Sequence, residues 1–251
     1  MNIGIIGCGN IASSLHECLH DINVIAVFDR HIDRAERVAR TFGAEATDCF
    51  ESFITHDLDL VIEVASVEAV AKYAQAILSR GCELVLLSSG ALADRAFKEE
   101  LESLARQKKV KVHIPSGAVF GLDNAGIGQV GGLKRVQLRT LKPARSFGLS
   151  APGKVCLFQG GAYECIKHYP KNTNVAVSLS LATGIEAEVE VWADSEAETI
   201  SHEIVMEGEF GSVEIKIDNK TSLNNPSTSR LAVLSLCALL SSMQKPVQIG
   251  S

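Results

Sequence analysis

Residues 3–12 read Ile-Gly-Ile-Ile-Gly-Cys-Gly-Asn-Ile-Ala, an apolar run that leads directly into a glycine-rich turn. The turn has the pattern Gly7-x-Gly9-x-x-Ala12, in which the first glycine permits a tight bend and the second lets the backbone approach a pyrophosphate. Asp29 ends the next apolar run, where an acidic side chain would accept hydrogen bonds from a ribose. The pattern predicts a dinucleotide cofactor, and the alternative is a strand–helix turn that binds nothing.

The residues after Asp29 bear on which dinucleotide would bind. A carboxylate at this place favours NAD over NADP, because it hydrogen-bonds the ribose hydroxyls that a 2′-phosphate would replace. Arg30, His31 and Arg34 follow it, however, and could bind such a phosphate. These cations suit a solvated helix start equally well, so the sequence leaves NAD and NADP both open.

The composition excludes several classes of protein. A net charge of −6, without a basic stretch that contains aromatic residues, argues against a nucleic-acid surface. The longest apolar run, Leu231–Leu240, is too short to span a bilayer, and a strand at the N-terminus leaves no room for a signal peptide. The seven cysteines stand singly, which indicates mostly buried free thiols in a reducing cytoplasm and no metal site. We predict a cytoplasmic protein with no membrane segment.

The pattern of apolar and polar residues changes near Pro115. Strand and helix patterns alternate before it, which predicts an α/β, Rossmann-type, doubly wound parallel sheet over residues 1–115. Clustered glycines and period-2 runs follow it, which predicts an α+β domain with an open mixed sheet over residues 116–225, used for substrate binding and catalysis. A last helix over residues 226–243, with Asn225 as N-cap and Pro226 in its first turn, is expected to pack back on the first domain.

Small and polar residues follow three strands of the first half. The segments are Glu63–Ser66, Ser88–Ala91 and Pro115–Ala118. Ligands of doubly wound sheets bind beyond the carboxyl ends of the strands, so we assign Ala65, Ser66 and Ser88 to the cofactor and Ser116 to the substrate. Ordinary serine and glycine turns are the alternative explanation of each segment.

The second half carries a carboxamide-rich helix start and a solitary histidine. Tyr169–Asn174 places Asn172 and Asn174 around a helix N-terminus, where carboxamides can hold a carboxylate or a nicotinamide amide. Of the seven histidines, His202 is the only one predicted at a sheet end of the second domain. Cations that could bind substrate carboxylates are Lys142, Arg145, Lys154 and Lys171, and the sequence does not rank them.

The chain as a whole resembles the L-aspartate dehydrogenase family. The blocks that carry the resemblance lie in the family's order over nearly the full length: Gly7–Ile11, Glu63–Ser66, Ser89–Asp94, Pro115–Asp123, Phe158–Gly160, Pro170–Ala176, His202–Ile204 and Asn225–Ser229. Here Ile200-Ser201 precedes His202 where the family usually has an asparagine, a difference that could loosen the orientation of His202.

The resemblance implies an enzyme, assigns roles to residues, and implies that residues 116–225 also form the dimer contact. It implies an NAD(P)-dependent oxidoreductase, often a homodimer, that interconverts L-aspartate with iminoaspartate or oxaloacetate plus ammonia and feeds NAD biosynthesis. It makes His202 the catalytic base and places Ala118 and Asn172 on the cofactor, with Asn10 and Ile11 in the glycine-rich block. Lys171 and Asn174 join Ser116 as substrate-binding candidates. The alternatives are a related reductase of another imine or dicarboxylate, and a non-catalytic NAD-binding sensor.

Overall fold

The computed structural model describes residues 1–17, 22–150, 152–170, 173–222 and 225–247. The chain divides into two compact units, Met1–Pro115 and Ser116–Ser251, and each is described by itself.

The first unit is built on a six-stranded parallel sheet. Its strands are β1 (Asn2–Ile6), β2 (Asn23–Phe28), β3 (Glu45–Thr47), β4 (Leu60–Glu63), β5 (Glu83–Leu86) and β6 (Val112–His113), in the spatial order β3-β2-β1-β4-β5-β6. Val61 and Ile62 are both fully buried although neighbours along a strand face opposite sides, so both faces of the sheet are covered. The order reverses between β1 and β4, and this is where such sheets bind ligands.

Helices flank these strands. They are α1 (Asn10–Ser14), α2 (Ile32–Phe42), α3 (Phe50–Phe53), α4 (Val67–Ser79) and α5 (Arg95–Lys108), with 3₁₀ turns at Leu15–Glu17 and Ser89–Ala93. The Ser66 hydroxyl caps α4 by accepting from the Ala69 amide, and the Asp94 carboxylate caps α5 in the same way. The end of β4 is therefore a helix start as well, whereas the 3₁₀ turn at Ser89–Ala93 separates β5 from α5.

The second unit contains a five-stranded mixed sheet. Its strands are β7 (Leu133–Pro143), β8 (Lys154–Gly161), β9 (Glu188–Asp194), β10 (Ile200–Gly208) and β11 (Gly211–Asn219), in the order β11-β10-β7-β9-β8. Only β7 and β9 pair in parallel. A parallel doubly wound unit and a mixed second sheet confirm the predicted fold class.

One face of this second sheet forms a core with helices. The helices of the unit are α6 (Leu122–Ala125), α7 (Ile127–Val130), α8 (Ala162–His168), α9 (Asn174–Thr183) and α10 (Arg230–Gln244). Ala162 of α8 and Leu179 of α9 belong to one buried cluster with Leu138, Val191 and Ile204 of the sheet. The opposite face carries ion pairs such as Arg139–Glu190, at 2.8 Å, which alternation along the strands requires.

Two expectations need correction. The last helix does not begin at Pro226: residues Asn225–Ser229 form strand β13, paired with β12 (Thr221–Ser222), and the helix starts at Arg230. The cap is the Ser229 hydroxyl, which accepts from the Leu231 amide at 3.1 Å, so a serine four residues downstream replaces the predicted Asn225 cap. The packing of this helix on the first unit stays a prediction.

The cysteines are less uniform than predicted. Cys8, Cys82 and Cys165 are buried free thiols, as expected. Two further free thiols, Cys49 and Cys156, are exposed. Cys237 is not a free thiol, because it is disulfide-bonded.

Candidate functional site

The turn after β1 has the backbone that its glycines predict. Gly7 has a φ of +93°, and a side chain there would lie 2.6 Å from the Cα of Ala65 at the end of β4. Both constraints require glycine. A Cβ at Gly9 would meet nothing within 4 Å, so this position opens onto free space at the start of α1. Asn10 is exposed and Ile11 partly buried beside it.

Asp29 is held against this turn by backbone amides. One carboxylate oxygen accepts from the Cys8 amide at 2.8 Å, and the other accepts from the His31 amide at 2.9 Å. Asp29 is only 9% exposed, so its position is fixed before any ligand arrives. Burial and the Asp29 charge raise the pKa of the Cys8 thiol to about 12, which leaves that thiol protonated and unreactive.

Glu63, the last residue of β4, connects the ends of β4 and β5 through its carboxylate. Its carboxylate is buried and accepts four hydrogen bonds: from the Ala65 and Ser66 amides, both at 2.8 Å, and from the Ser88 amide at 3.0 Å and hydroxyl at 2.9 Å. Burial raises the pKa of Glu63, and these hydrogen bonds oppose the rise. One buried acid thus fixes three predicted cofactor residues.

These features fit a dinucleotide. Gly7, Gly9, Asp29, Ala65 and Ser88 all lie at carboxyl ends of adjacent strands of the same sheet. The open space at Gly9 would admit a pyrophosphate, and Asp29 stands at the place of a ribose ligand. The first unit therefore has the residues and the space that NAD requires.

His202 lies on β10 in the second unit, facing the helix-covered side of the sheet. It is 2% exposed, and its Nδ1 is 2.9 Å from the Thr140 hydroxyl on the neighbouring strand β7. Within the described residues, its Nε2 is the only buried side-chain nitrogen or oxygen without a hydrogen-bond partner. A hydroxyl that accepts from Nδ1–H leaves the lone pair on Nε2, which is the arrangement a general base needs.

A buried lysine stands on the same face. Lys142 follows Thr140 by two positions on β7, so both side chains point to the side that His202 occupies. Lys142 is 6% exposed, and burial lowers its pKa to about 8. Burial, with the charge of Lys142 as second cause, lowers the pKa of His202 to about 3. The imidazole is therefore neutral at ordinary pH, and in the protein alone it is a weak base.

The segment after Pro115 is hydrogen-bonded to the end of strand β11 in the second unit. The Asn219 side chain, buried at the end of β11, donates to the Ala118 carbonyl at 2.8 Å. The Ser116 hydroxyl donates to Asp123 at 3.3 Å. Asn174 is the first residue of α9 and is partly buried.

Several sequence predictions can now be placed. Lys171 and Asn172 lie outside the described residues, and their roles stay predictions. Ser201 points away from the side that His202 faces, and Thr140 holds the imidazole, so Ser201 does not set its orientation. Arg145 is exposed, and the Lys154 ammonium lies 5.2 Å from the Trp192 ring centre, which leaves Lys142 as the buried cation among the described candidates.

Thr140, Asn219 and Glu63 are the residues that sequence reasoning missed. A period-2 strand pattern places Thr140 and Asn219 on an apolar face, and that mismatch was the available signal. Glu63 likewise ends an otherwise apolar buried strand.

Family models match both units. Residues 7–115 match the NAD-binding domain of homoserine dehydrogenase, and residues 123–243 match the C-terminal domain of aspartate dehydrogenase. The two matches divide at the boundary between the two units.

Individual relatives match over their whole length. The chain is 43% identical over 251 residues to an L-aspartate dehydrogenase of Methanospirillum hungatei, covering 100% of both chains. It is 36% identical to an L-aspartate dehydrogenase of Methanothermobacter thermautotrophicus, covering 100% of this chain and 99% of that one. The crystal structure of an aspartate dehydrogenase from Thermotoga maritima superimposes with a TM-score of 0.84 at 31% identity, covering 100% and 99%.

Proposed function

The chain belongs to the L-aspartate dehydrogenase family, and from this premise we propose that it oxidises L-aspartate with NAD(P). The products are iminoaspartate and, after hydrolysis, oxaloacetate and ammonia. The reaction is reversible. The observation that carries the proposal is the buried His202, which one hydroxyl holds at Nδ1 while Nε2 is left without a partner.

Oxidation of the amine to an imine requires one general base. A bound NAD(P) would supply the acceptor for the hydride that leaves Cα of the substrate. The amine must be unprotonated as the C=N bond forms, and a neutral imidazole can take that proton. Nε2 then carries it, while the Thr140 hydroxyl keeps Nδ1 in place. After it has released this proton to solvent, the same imidazole can remove a proton from the water that hydrolyses the imine.

The residues of the first unit bind and position. Gly7 and Gly9 leave the backbone free to meet the pyrophosphate, and Asp29 offers its carboxylate to the ribose. Asp29 already accepts from two amides, so a 2′-phosphate would bring further negative charge against a fixed acid. We therefore expect NAD to be preferred, with NADP accepted more weakly.

The test is an initial-rate assay of NADH formation with L-aspartate, repeated with NADP and with other amino acids. We expect aspartate to be the best substrate. His202→Asn should lower kcat by about 10²- to 10⁴-fold, the range typical of a general base. His113→Asn is the matched control, since that imidazole pairs with Glu83 at 2.9 Å in the first unit. Near-full turnover in the His202 variant, or a better substrate than aspartate, would overturn the proposal.

We also propose a physiological setting. The family resemblance suggests that iminoaspartate is passed on to NAD biosynthesis in the cytoplasm. No helix in the described part of the chain is long and apolar enough to cross a membrane. A coupled assay with an enzyme that consumes iminoaspartate tests this, because direct transfer should compete with its hydrolysis to oxaloacetate.

A homodimer formed by the second unit completes the proposal. The face of the second sheet away from its helices carries opposed charges, with Arg135 near Glu188 and Glu207, and Arg139 near Glu190 and Glu203. Both signs on one face suit a self-complementary contact between two copies. Light scattering should give twice the mass of one chain, and Arg139→Glu should shift the protein toward monomer. A monomeric wild type would contradict the proposal.

A further inference from the structure

We propose that Lys142 is the cation that binds a carboxylate of the substrate, and that its charge couples this binding to His202. The inference rests on the proposed function, since it names the residue by which an anionic amino acid is recognised. It makes Lys142 a second residue of the site in contact with substrate.

The placement of Lys142 is the first argument. Lysine is rarely found fully buried, yet this one is 6% exposed on the core-facing side of β7. It lies two residues from Thr140, which contacts His202 across the strand pair. Neighbouring side chains on one face of a strand are about 6.6 Å apart, from the rise per residue. A four-carbon substrate with two carboxylates can therefore reach the ammonium while its amine lies at Nε2.

The electrostatics is the second argument. A buried ammonium beside His202 opposes protonation of the imidazole, so the interaction between these two side chains does not stabilise the fold. On the same face, β11 offers Ile217 and Asn219, which do not titrate, and the shared core holds Cys165, whose pKa burial raises to about 12. Lys142 is therefore the charge that acts on His202 among the described residues of this core face.

A bound carboxylate would reverse that effect. Its negative charge would offset Lys142, so that the pKa of His202 would rise toward its ordinary range when substrate is present. A base that is too weak in the free enzyme would then become effective in the complex. Anionic substrates would gain both affinity and a stronger base, whereas a neutral ligand would gain neither.

The experiment compares Lys142→Met, Lys142→Arg and wild type. Methionine keeps the length and removes the charge, and arginine keeps the charge. Lys134→Met is the matched control, because Lys134 lies exposed on the same strand, 3.8 Å from Glu209. Succinate, which has two carboxylates and no amine, serves as a binding probe that needs no catalysis.

We expect Lys142→Met to lower kcat/KM for aspartate by about 30-fold or more, and to weaken succinate binding at least tenfold. Lys142→Arg should retain part of the succinate affinity, and Lys134→Met should match wild type. The acidic limb of the kcat/KM profile should move to higher pH in Lys142→Met, because a positive charge beside His202 is gone. A purely structural lysine would give Lys142→Met and Lys142→Arg the same succinate affinity.

Two results would overturn the inference. One is a Lys142→Met variant with kcat/KM within threefold of wild type. The other is lost turnover with unchanged succinate affinity. Failure of the proposed function is separate: wild type would then form no NADH from aspartate, while succinate binding would still report on Lys142.

Discussion

Lys142→Met should stabilise the fold while it impairs the reaction. Burial lowers the pKa of Lys142 from 10.5 to about 8, so keeping the charged ammonium buried at neutral pH costs on the order of 3 kcal/mol. Methionine fills similar space without the charge. Replacement of buried charges by apolar side chains often gains about 1–4 kcal/mol. We expect the free energy of unfolding at pH 7 to rise by about 2–3 kcal/mol.

The gain should depend on pH with a definite sign. The folded state releases the Lys142 proton near pH 8, whereas the unfolded chain keeps it until about pH 10.5. Between these values the unfolded state binds more protons, so the stability of wild type rises with pH and the advantage of the variant shrinks. Urea unfolding at pH 7, 8, 9 and 9.5 measures this. Lys134→Met, on the exposed face, should change stability by less than about 0.5 kcal/mol. A variant less stable than wild type at pH 7, or a difference that does not vary with pH, would refute the reasoning.

Three further substitutions test the two units separately. Gly7→Ala should lower the free energy of unfolding by more than about 2 kcal/mol and abolish NAD binding, because the new Cβ would lie 2.6 Å from backbone at a positive φ. The control is Gly43→Ala, where φ is +69° and the space is open. In urea unfolding it should lower the free energy of unfolding by only about 1 kcal/mol. Glu63→Gln removes a charged acceptor of four hydrogen bonds, so the free energy of unfolding should fall by about 1.5–3 kcal/mol. The Kd of NAD, measured by titration calorimetry, should rise at least tenfold. Unchanged NAD affinity would show that the carboxylate of Glu63 is not required to position the strand ends for the cofactor. Thr140→Val should lower kcat about tenfold with little change in KM, and Thr140→Ser should restore it, because only the hydroxyl holds His202.

The first unit was predictable because its sequence obeys local rules. A strand buried on both faces, such as Leu60–Glu63, reads as a continuous apolar run, and amphipathic helices separate such runs. The short strand Glu45–Thr47 and the edge strand Lys154–Gly161 were not predicted. Three residues carry too little periodicity, and the edge strand is only partly buried, so it shows no alternation.

Only those site residues whose role follows from local backbone geometry were predictable from the sequence. Gly7 and Asp29 follow from the geometry of a strand–turn–helix unit, which is local in sequence. Thr140 and His202 are 62 residues apart, and only strand pairing brings them together. A single chain shows which residues are polar on an apolar face, but the register between strands decides which of them meet.

Glu63 and Lys142 show two ways in which buried charge serves this fold. Glu63 is surrounded by four donors, so its charge is matched in the protein alone and its effect is to hold the strand ends in one place. Lys142 lies beside His202, whose pKa burial lowers first and the charge of Lys142 lowers further, so these two side chains do not favour each other's charged forms. The first arrangement is complete before a ligand arrives. In the second, the charge of Lys142 would be offset by the substrate carboxylate that we propose it binds, which would ease protonation of His202.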